Sequence, residues 1–252
     1  MTDPTPWPWA GQGLTAIICD LDGVVTDTAA VHSSAWKNLF DGVLRARAEQ
    51  TGEPFVPFTP DDYLQHVDGK PRYDGVRTFL ASRGITLPEG TPDDSPDEQT
   101  VCGLGNRKNL EFNEVIRRDG VTVFDGAVTV IRRLRAEGMR AAVVSSSKNC
   151  GPVLASAGLT DLFEAQVDGI SAVEKGLPGK PAPDTFIEGA RMVGATPAES
   201  IMVEDAIVGV QAGRAGGFGL VIGIDRGLGE AALLENGAHI VVKDLGDFLR
   251  DA

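Results

Sequence analysis

Apolar positions along this chain fall into two regimes. Short unbroken runs occur at residues 16–19 (AIIC), 140–145 (RAAVVS), 165–169, 200–205 (SIMVED), 220–225 and 239–243. They lack polar alternation, and short runs of that kind predict strands buried on both faces of a parallel sheet. Helical periodicity fills the gaps after residue 124. Residues 127–138 carry a basic side (Arg132, Arg133, Arg135) and stop at Gly138, while 185–193 follows two prolines that preset its first turn. Strands alternating with helices predict a three-layer α/β fold: a doubly wound parallel sheet, Rossmann-like, with right-handed crossovers.

The second regime lies between Thr28 and Val121. Val31, Ala35, Leu39, Val43 and Ala46 recur at helical spacing, and 61–67, 75–83 and 109–118 read as further helices. Pro54, Pro57 and Pro60 break the first of these, and the acidic, Pro-rich tract at 88–98 (PEGTPDDSPDE) predicts a solvated loop. No strand run appears in this stretch, which is hard to place within a parallel sheet. The expected division is therefore a core of residues 1–30 and 120–252, interrupted by an α-helical cap domain at 31–119.

Composition narrows the function classes. The chain has 252 residues, 42% of them apolar, enough for one large domain or two moderate ones. A formal charge of -13 disfavours a nucleic-acid or anionic-membrane partner, because phosphodiester binding needs a basic surface. Cys19, Cys102 and Cys150 are odd in number, far apart and form no CxxC pair, so they indicate neither a disulfide framework nor a zinc site. The opening MTDPTPWPWAGQG lacks the basic and continuous apolar regions of a secretory signal, and no run approaches membrane-spanning length. A cytoplasmic protein is expected, acting as a monomer, with its Pro- and Trp-containing start either an arm over the body or a loose tail.

Candidate chemistry gathers where the strands are expected to end. Asp20 and Asp22 follow the first run in DLDG, where Gly23 lets the backbone turn and Thr26, Asp27 and Thr28 offer helix caps. Strand ends of open α/β sheets face the ligand crevice, and two carboxylates there can have their pKa values driven apart, one ionised and one protonated. Val144 is followed by Ser145, Ser146, Ser147, Lys148 and Asn149, whose hydroxyls and backbone N–H groups could cradle phosphate oxygens or simply cap a helix. Lys180 stands in GKPAPD, whose two prolines preset the turn into 185–193 and point it back toward the crevice, although by spacing alone it reads as an exposed lysine. Glu204 and Asp205 close SIMVED, and an acid pair ending a buried strand requires a counter-ion. With Asp20 they make an oxygen-rich set of the kind Mg²⁺ prefers. Gly103–Gly105 and Gly213–Gly217 do not form GxGxxG and read as turns or helix ends, and His239 reads as structural.

The string DLDGVVTDT, continued by AAVHSSAW, resembles motif one of the haloacid dehalogenase superfamily and its β-phosphoglucomutase-like branch, which carries a helical cap inserted after that motif. The other strand-end strings match the later motifs in order. The resemblance implies Asp20 as nucleophile, Asp22 as acid and base, Ser145 as the motif-two hydroxyl and Lys180 as the neutralising cation. It implies Mg²⁺ held by Asp20 and Asp205 through carboxylates and by Asp22 through its carbonyl, with Glu204 beside them. Substrate contacts map onto Thr28, His32, Gly69, Lys70, Arg72, Lys108, Ser147 and Asn149, with Arg72 binding the phosphate that is not transferred. One departure touches sugar preference: the lysine usual before the loop glycine is Asp68 here, and Lys70 lies two residues later. The implied activity is Mg²⁺-dependent phosphoryl transfer on a sugar phosphate through an aspartyl phosphate, β-D-glucose 1-phosphate becoming glucose 6-phosphate. A sugar-phosphate phosphatase would share every core motif; a receiver-type phospho-Asp module is the remote alternative.

Overall fold

The computed structural model describes residues 7–249, so the first six residues of the N-terminal segment lie outside the described part. The chain divides into two compact units, Met1–Asp27 with Val121–Ala252, and Thr28–Gly120. In chain order, β1 (Ala16–Asp20) belongs to the first unit. The second unit holds α1 (Ala29–Thr51), α2 (Pro60–Asp62) prolonged by a π-helical turn at Tyr63–Val67, α3 (Arg72–Ser82) and α4 (Val101–Asp119). The first unit then resumes with α5 (Asp125–Ala136), β2 (Arg140–Val144), α6 (Cys150–Ser156), β3 (Ala165–Val167), α7 (Gly169–Glu174) and α8 (Asp184–Met192). It finishes with β4 (Ser200–Glu204), α9 (Ile207–Ala215), β5 (Leu220–Ile224), α10 (Glu230–Asn236), β6 (Ile240–Val242) and a 3₁₀ turn at Leu245–Leu249.

The six strands form one parallel sheet in the order β3-β2-β1-β4-β5-β6. Chain order therefore reverses between β1 and β4, and open α/β sheets bind ligands at the carboxyl ends of the strands flanking such a reversal. The central strands are apolar on both faces because both are covered. Ala16 and Ile18 pack with Ala142, Val144 and Met202 against Phe186, Ala190, Val210 and Leu233 of α8, α9 and α10. Ile17 and Cys19, pointing the other way by strand alternation, are equally buried. Each fully buried isoleucine contributes about 1.5–3 kcal/mol, which ranks β1 above the half-buried edge strand β6. Register pairs Asp20 with Val144 and Cys19 with Val203, so β1, β2 and β4 end level.

The described part of the N-terminal segment lies over the body of its unit. Trp7 stacks on Trp9 at 5.4 Å, Trp9 meets Phe248 edge-on at 5.0 Å, and the Trp7 indole N–H donates to Glu137 at 2.6 Å. All three cysteines are free and buried. No helix among the described residues is long and apolar enough to cross a membrane.

The second unit is helical, with its own core of Trp36, Leu39, Phe40, Phe58, Val76, Phe79 and Leu104, centred on the Phe40–Phe79 ring contact at 4.0 Å. Two expectations change here. Helix α4 begins at Val101 rather than 109, capped by the Thr100 hydroxyl, which accepts the Gly103 N–H at 2.9 Å. Gly103 and Gly105 thus sit inside a helix instead of a turn. A Cβ on Gly105 would lie 2.7 Å from the Tyr73 ring, so glycine permits close packing of α3 on α4. Second, Thr28 occupies the N-cap position of α1, yet its side chain makes no capping hydrogen bond.

Candidate active site

Local sequence shapes the loop after β1. The Leu21 carbonyl accepts from the N–H groups of Val25 and Thr26 and from the Thr26 hydroxyl, while the Gly23 N–H donates to the Thr26 carbonyl at 2.8 Å. Closing this turn requires Gly23 at φ +84°. Asp20 is buried at the strand tip and Asp22 is half-buried on the loop.

Strand β4 brings Glu204 to the same edge, with Asp205 one residue beyond. Carboxylate oxygens of Asp20, Glu204 and Asp205 all lie within 4.8 Å of one another, and all three residues are buried. Lys180 is the counter-charge. Its Nζ donates to Asp20 Oδ1 at 2.5 Å and to Glu204 Oε1, with side-chain exposure of only 2%. The spacing-only reading of an exposed lysine is thus wrong: the turn before α8 directs Lys180 inward. Burial disfavours its charge, but Asp20 and Glu204 outweigh burial and hold the ammonium protonated, above the ordinary lysine range.

For Asp20 burial dominates the balance instead. Burial pushes its carboxyl well above the usual range; Lys180 opposes this, and Glu204 and Asp22 add to the upward push. Three buried carboxyl groups here face the single ammonium of Lys180. The donor set fits Mg²⁺: it is all oxygen, anionic and compact. Within it Glu204 has both oxygens engaged, Oε1 by Lys180 and Oε2 by the Ala206 N–H at 2.7 Å. That makes Glu204 an anchor of the lysine, which it shares with Asp20.

Beyond β2, Ser145 donates its hydroxyl to Asp22 Oδ2 at 3.2 Å, which joins the second and first strand tips. The expected phosphate cradle is more self-contained than its sequence suggests. The Ser147 N–H donates to Ser145 Oγ at 3.0 Å and the Asn149 N–H to Ser147 Oγ at 3.1 Å, so two of its backbone donors are already used.

Glycine makes room in two places. A Cβ on Gly23 would lie 1.8 Å from Asp205 Oδ2, and one on Gly209 in α9 would lie 1.9 Å from Glu204 Oε1. Neither Gly209, which reads locally as a weak helix residue, nor Arg226, whose Nε donates to the Gly23 carbonyl at 2.7 Å, is marked by a motif in the sequence. His239 is structural as expected, its Nδ1 accepting the Val221 N–H at 2.8 Å.

The remaining expected contacts belong to the second unit, and three of them, Arg72, Lys108 and His32, form two clusters along α4. Arg72, the first residue of α3, donates to Asn109 Oδ1 at 2.6 Å and to Asn106 Oδ1 at 3.4 Å. Lys108 meets His32 Nδ1 and lies over the Trp36 and Phe112 rings at 4.9 and 5.0 Å. His32 in turn stacks on Phe112 at 4.0 Å. Gly69 turns the loop before Arg72 at φ +69°, with Lys70 next to it. Asn106 and Asn109 were in plain view in GNRKN; their spacing of three on a helix is the signal that places both against one partner.

The family model for haloacid dehalogenase-like hydrolases matches residues 14–217. A β-phosphoglucomutase of Mycobacterium tuberculosis is 50% identical over 243 residues, covering 94% of this chain and 92% of the relative. A β-phosphoglucomutase of Bacillus subtilis is 30% identical, covering 93% and 91%. Among solved structures, a hydrolase from Pseudomonas syringae superposes with a TM-score of 0.73 at 22% identity, covering 94% of this chain and 96% of that one.

Proposed function

The chain belongs to the haloacid dehalogenase-like hydrolase family, an enzyme family of phosphoryl chemistry, and on that premise we propose that it is a Mg²⁺-dependent β-phosphoglucomutase working through an aspartyl phosphate. The observation that carries this reading is the meeting of Asp20, Lys180, Glu204 and Asp205 at the tips of β1 and β4. Identity of 50% to a β-phosphoglucomutase over nearly the whole chain supports the choice of substrate.

Asp20 attacks the phosphorus of the sugar phosphate, and the bond from phosphorus to the sugar oxygen breaks. Asp22 gives its proton to that departing oxygen, with Ser145 orienting its carboxyl through the hydroxyl hydrogen bond. In the return half, Asp22 takes the proton of the acceptor hydroxyl as that oxygen attacks the aspartyl phosphate, and Asp20 is regenerated. Lys180, fixed between Asp20 and Glu204, offsets negative charge throughout. Asp20 and Asp205, with the Asp22 carbonyl, would hold Mg²⁺, which when bound adds positive charge against the phosphoryl oxygens. Arg72 binds the phosphate that is not transferred, a task suited to a planar guanidinium already oriented by Asn106 and Asn109. Thr28, His32, Gly69, Lys70, Lys108, Ser147 and Asn149 complete the proposed substrate contacts.

Mutase and phosphatase differ only in the acceptor, a sugar hydroxyl or water. A phosphorus NMR time course with β-D-glucose 1-phosphate, Mg²⁺ and a trace of the sugar bisphosphate separates them. Glucose 6-phosphate is the expected product. Inorganic phosphate alone selects the phosphatase, and no turnover of any sugar phosphate overturns the reading. Arg72→Ala is expected to weaken use of the bisphosphate while sparing hydrolysis of a small aryl phosphate.

A further inference from the structure

We propose that Arg226, beyond the end of β5, is a positioning residue that clamps the loop carrying Asp22. This deepens the functional reading above and rests on its assignment of Asp20 and Asp22. Arg226 touches none of the acidic side chains assigned to chemistry or metal. Its guanidinium instead makes four contacts with the backbone and side chains around the loop. Nε donates to the Gly23 carbonyl at 2.7 Å and Nη1 to the Lys243 carbonyl at 2.9 Å. Its Cζ lies 3.6 Å from the Phe124 ring centroid, and Nη2 is 3.7 Å from Asp244 Oδ2. The turn that carries it is itself pinned, since the Asp225 carboxylate accepts the N–H groups of Gly227 and Gly229, each at 2.9 Å.

Gly23 explains why a clamp is needed. A glycine at φ +84° can rotate through conformations closed to other residues, and both peptide groups beside it would turn with it. Its N–H is held by the Thr26 carbonyl, and because the peptide is planar this also sets the direction of the Asp22 carbonyl. Its own carbonyl is held by Arg226. The two bonds together leave Gly23 one orientation, against the Asp205 carboxylate. Phe124 extends the clamp: its N–H donates to the Val25 carbonyl, so Arg226 grips the loop directly and also through the chain segment that returns before α5.

The test compares Arg226→Gln and Arg226→Lys with the wild-type chain, by steady-state kinetics on β-D-glucose 1-phosphate, amide hydrogen exchange and urea unfolding. Small displacements of reacting groups cost up to about 100-fold in rate, so R226Q is expected to lower kcat by about that factor while KM changes less than about threefold. Amides of residues 22–26 should exchange faster, and those of β1, β2 and β4 should keep their protection. R226K keeps one donor for Gly23 and the charge over Phe124, and it should recover much of kcat. Unchanged kcat in R226Q, or exchange that rises throughout the sheet, overturns the proposal. If the wild-type chain transfers no phosphoryl group, the functional reading fails separately; faster exchange at 22–26 in R226Q then still upholds the clamp, and unchanged exchange overturns it.

Discussion

The carboxylate of Asp205 occupies the space that a side chain on Gly23 would need, with Oδ2 lying 1.8 Å from the Cβ position. Two strand tips that are far apart in sequence therefore share one small volume. Gly23→Ala would meet both this collision and a left-handed backbone that costs about 1–2 kcal/mol for a residue with a Cβ. Loss of nearly all activity is expected with a modest fall in urea midpoint. An alanine variant of wild-type activity would show that Asp205 is not needed where it stands.

Gly209 sets propensity against packing. In an exposed helix interior, Gly→Ala stabilises by about 1 kcal/mol. Here the added methyl would lie 1.9 Å from Glu204 Oε1 and push that carboxylate off Lys180 and the Ala206 N–H. Gly209→Ala should therefore destabilise the chain and reduce turnover, a change of sign that urea denaturation and an activity assay read directly.

Lys180 neutralises two buried acids at once. Removing one partner from a buried ionic cluster leaves uncompensated charge and costs about 3–5 kcal/mol. Lys180→Met is expected to be inactive and destabilised by about that amount. Adding Asp20→Asn to it should restore part of the stability and none of the activity, and a double variant no more stable than the single one would remove charge as the cause.

Away from the site, Glu188 on α8 accepts from Arg191 Nε at 2.6 Å and from Lys175 at 2.5 Å. Hydrogen bonds from Arg191 and Lys175 hold its carboxyl down at about 2, from an ordinary 4.5. A depressed folded-state pKa means its stabilisation is complete above the unfolded value and is lost as pH falls from about 4.5 through about 2. Glu188→Gln should lack that contribution. The stability difference between wild type and variant, followed by thermal melts, is expected to shrink across this window.

Asp20 and Lys180 were both legible in the sequence, but for different reasons. Asp20 ends an apolar run whose burial on both faces needs no partner to be recognised, and the strand tip follows from it. Lys180 looked exposed by spacing alone, and it took the two prolines of GKPAPD, which turn the chain back, together with the resemblance to bring it inward. The start of α4 was misplaced because Gly103 and Gly105 oppose helix locally; the Thr100 cap three residues earlier was a local signal that outweighs them, and only the close approach of Tyr73 to Gly105 comes from a neighbour in space.

What the chain by itself determined is the set of elements and the chemistry at their ends: hydrophobic periodicity is a local property, and each acid, hydroxyl or lysine sits at a fixed offset from its own strand or helix. Tertiary structure decided which of those groups meet. Glu204 anchors Lys180, Gly209 gives Glu204 its room, and Arg226 holds Gly23 across 203 residues of chain. Such pairings depend on strand order and register, which arise from packing the whole sheet at once and leave no periodic trace along the sequence.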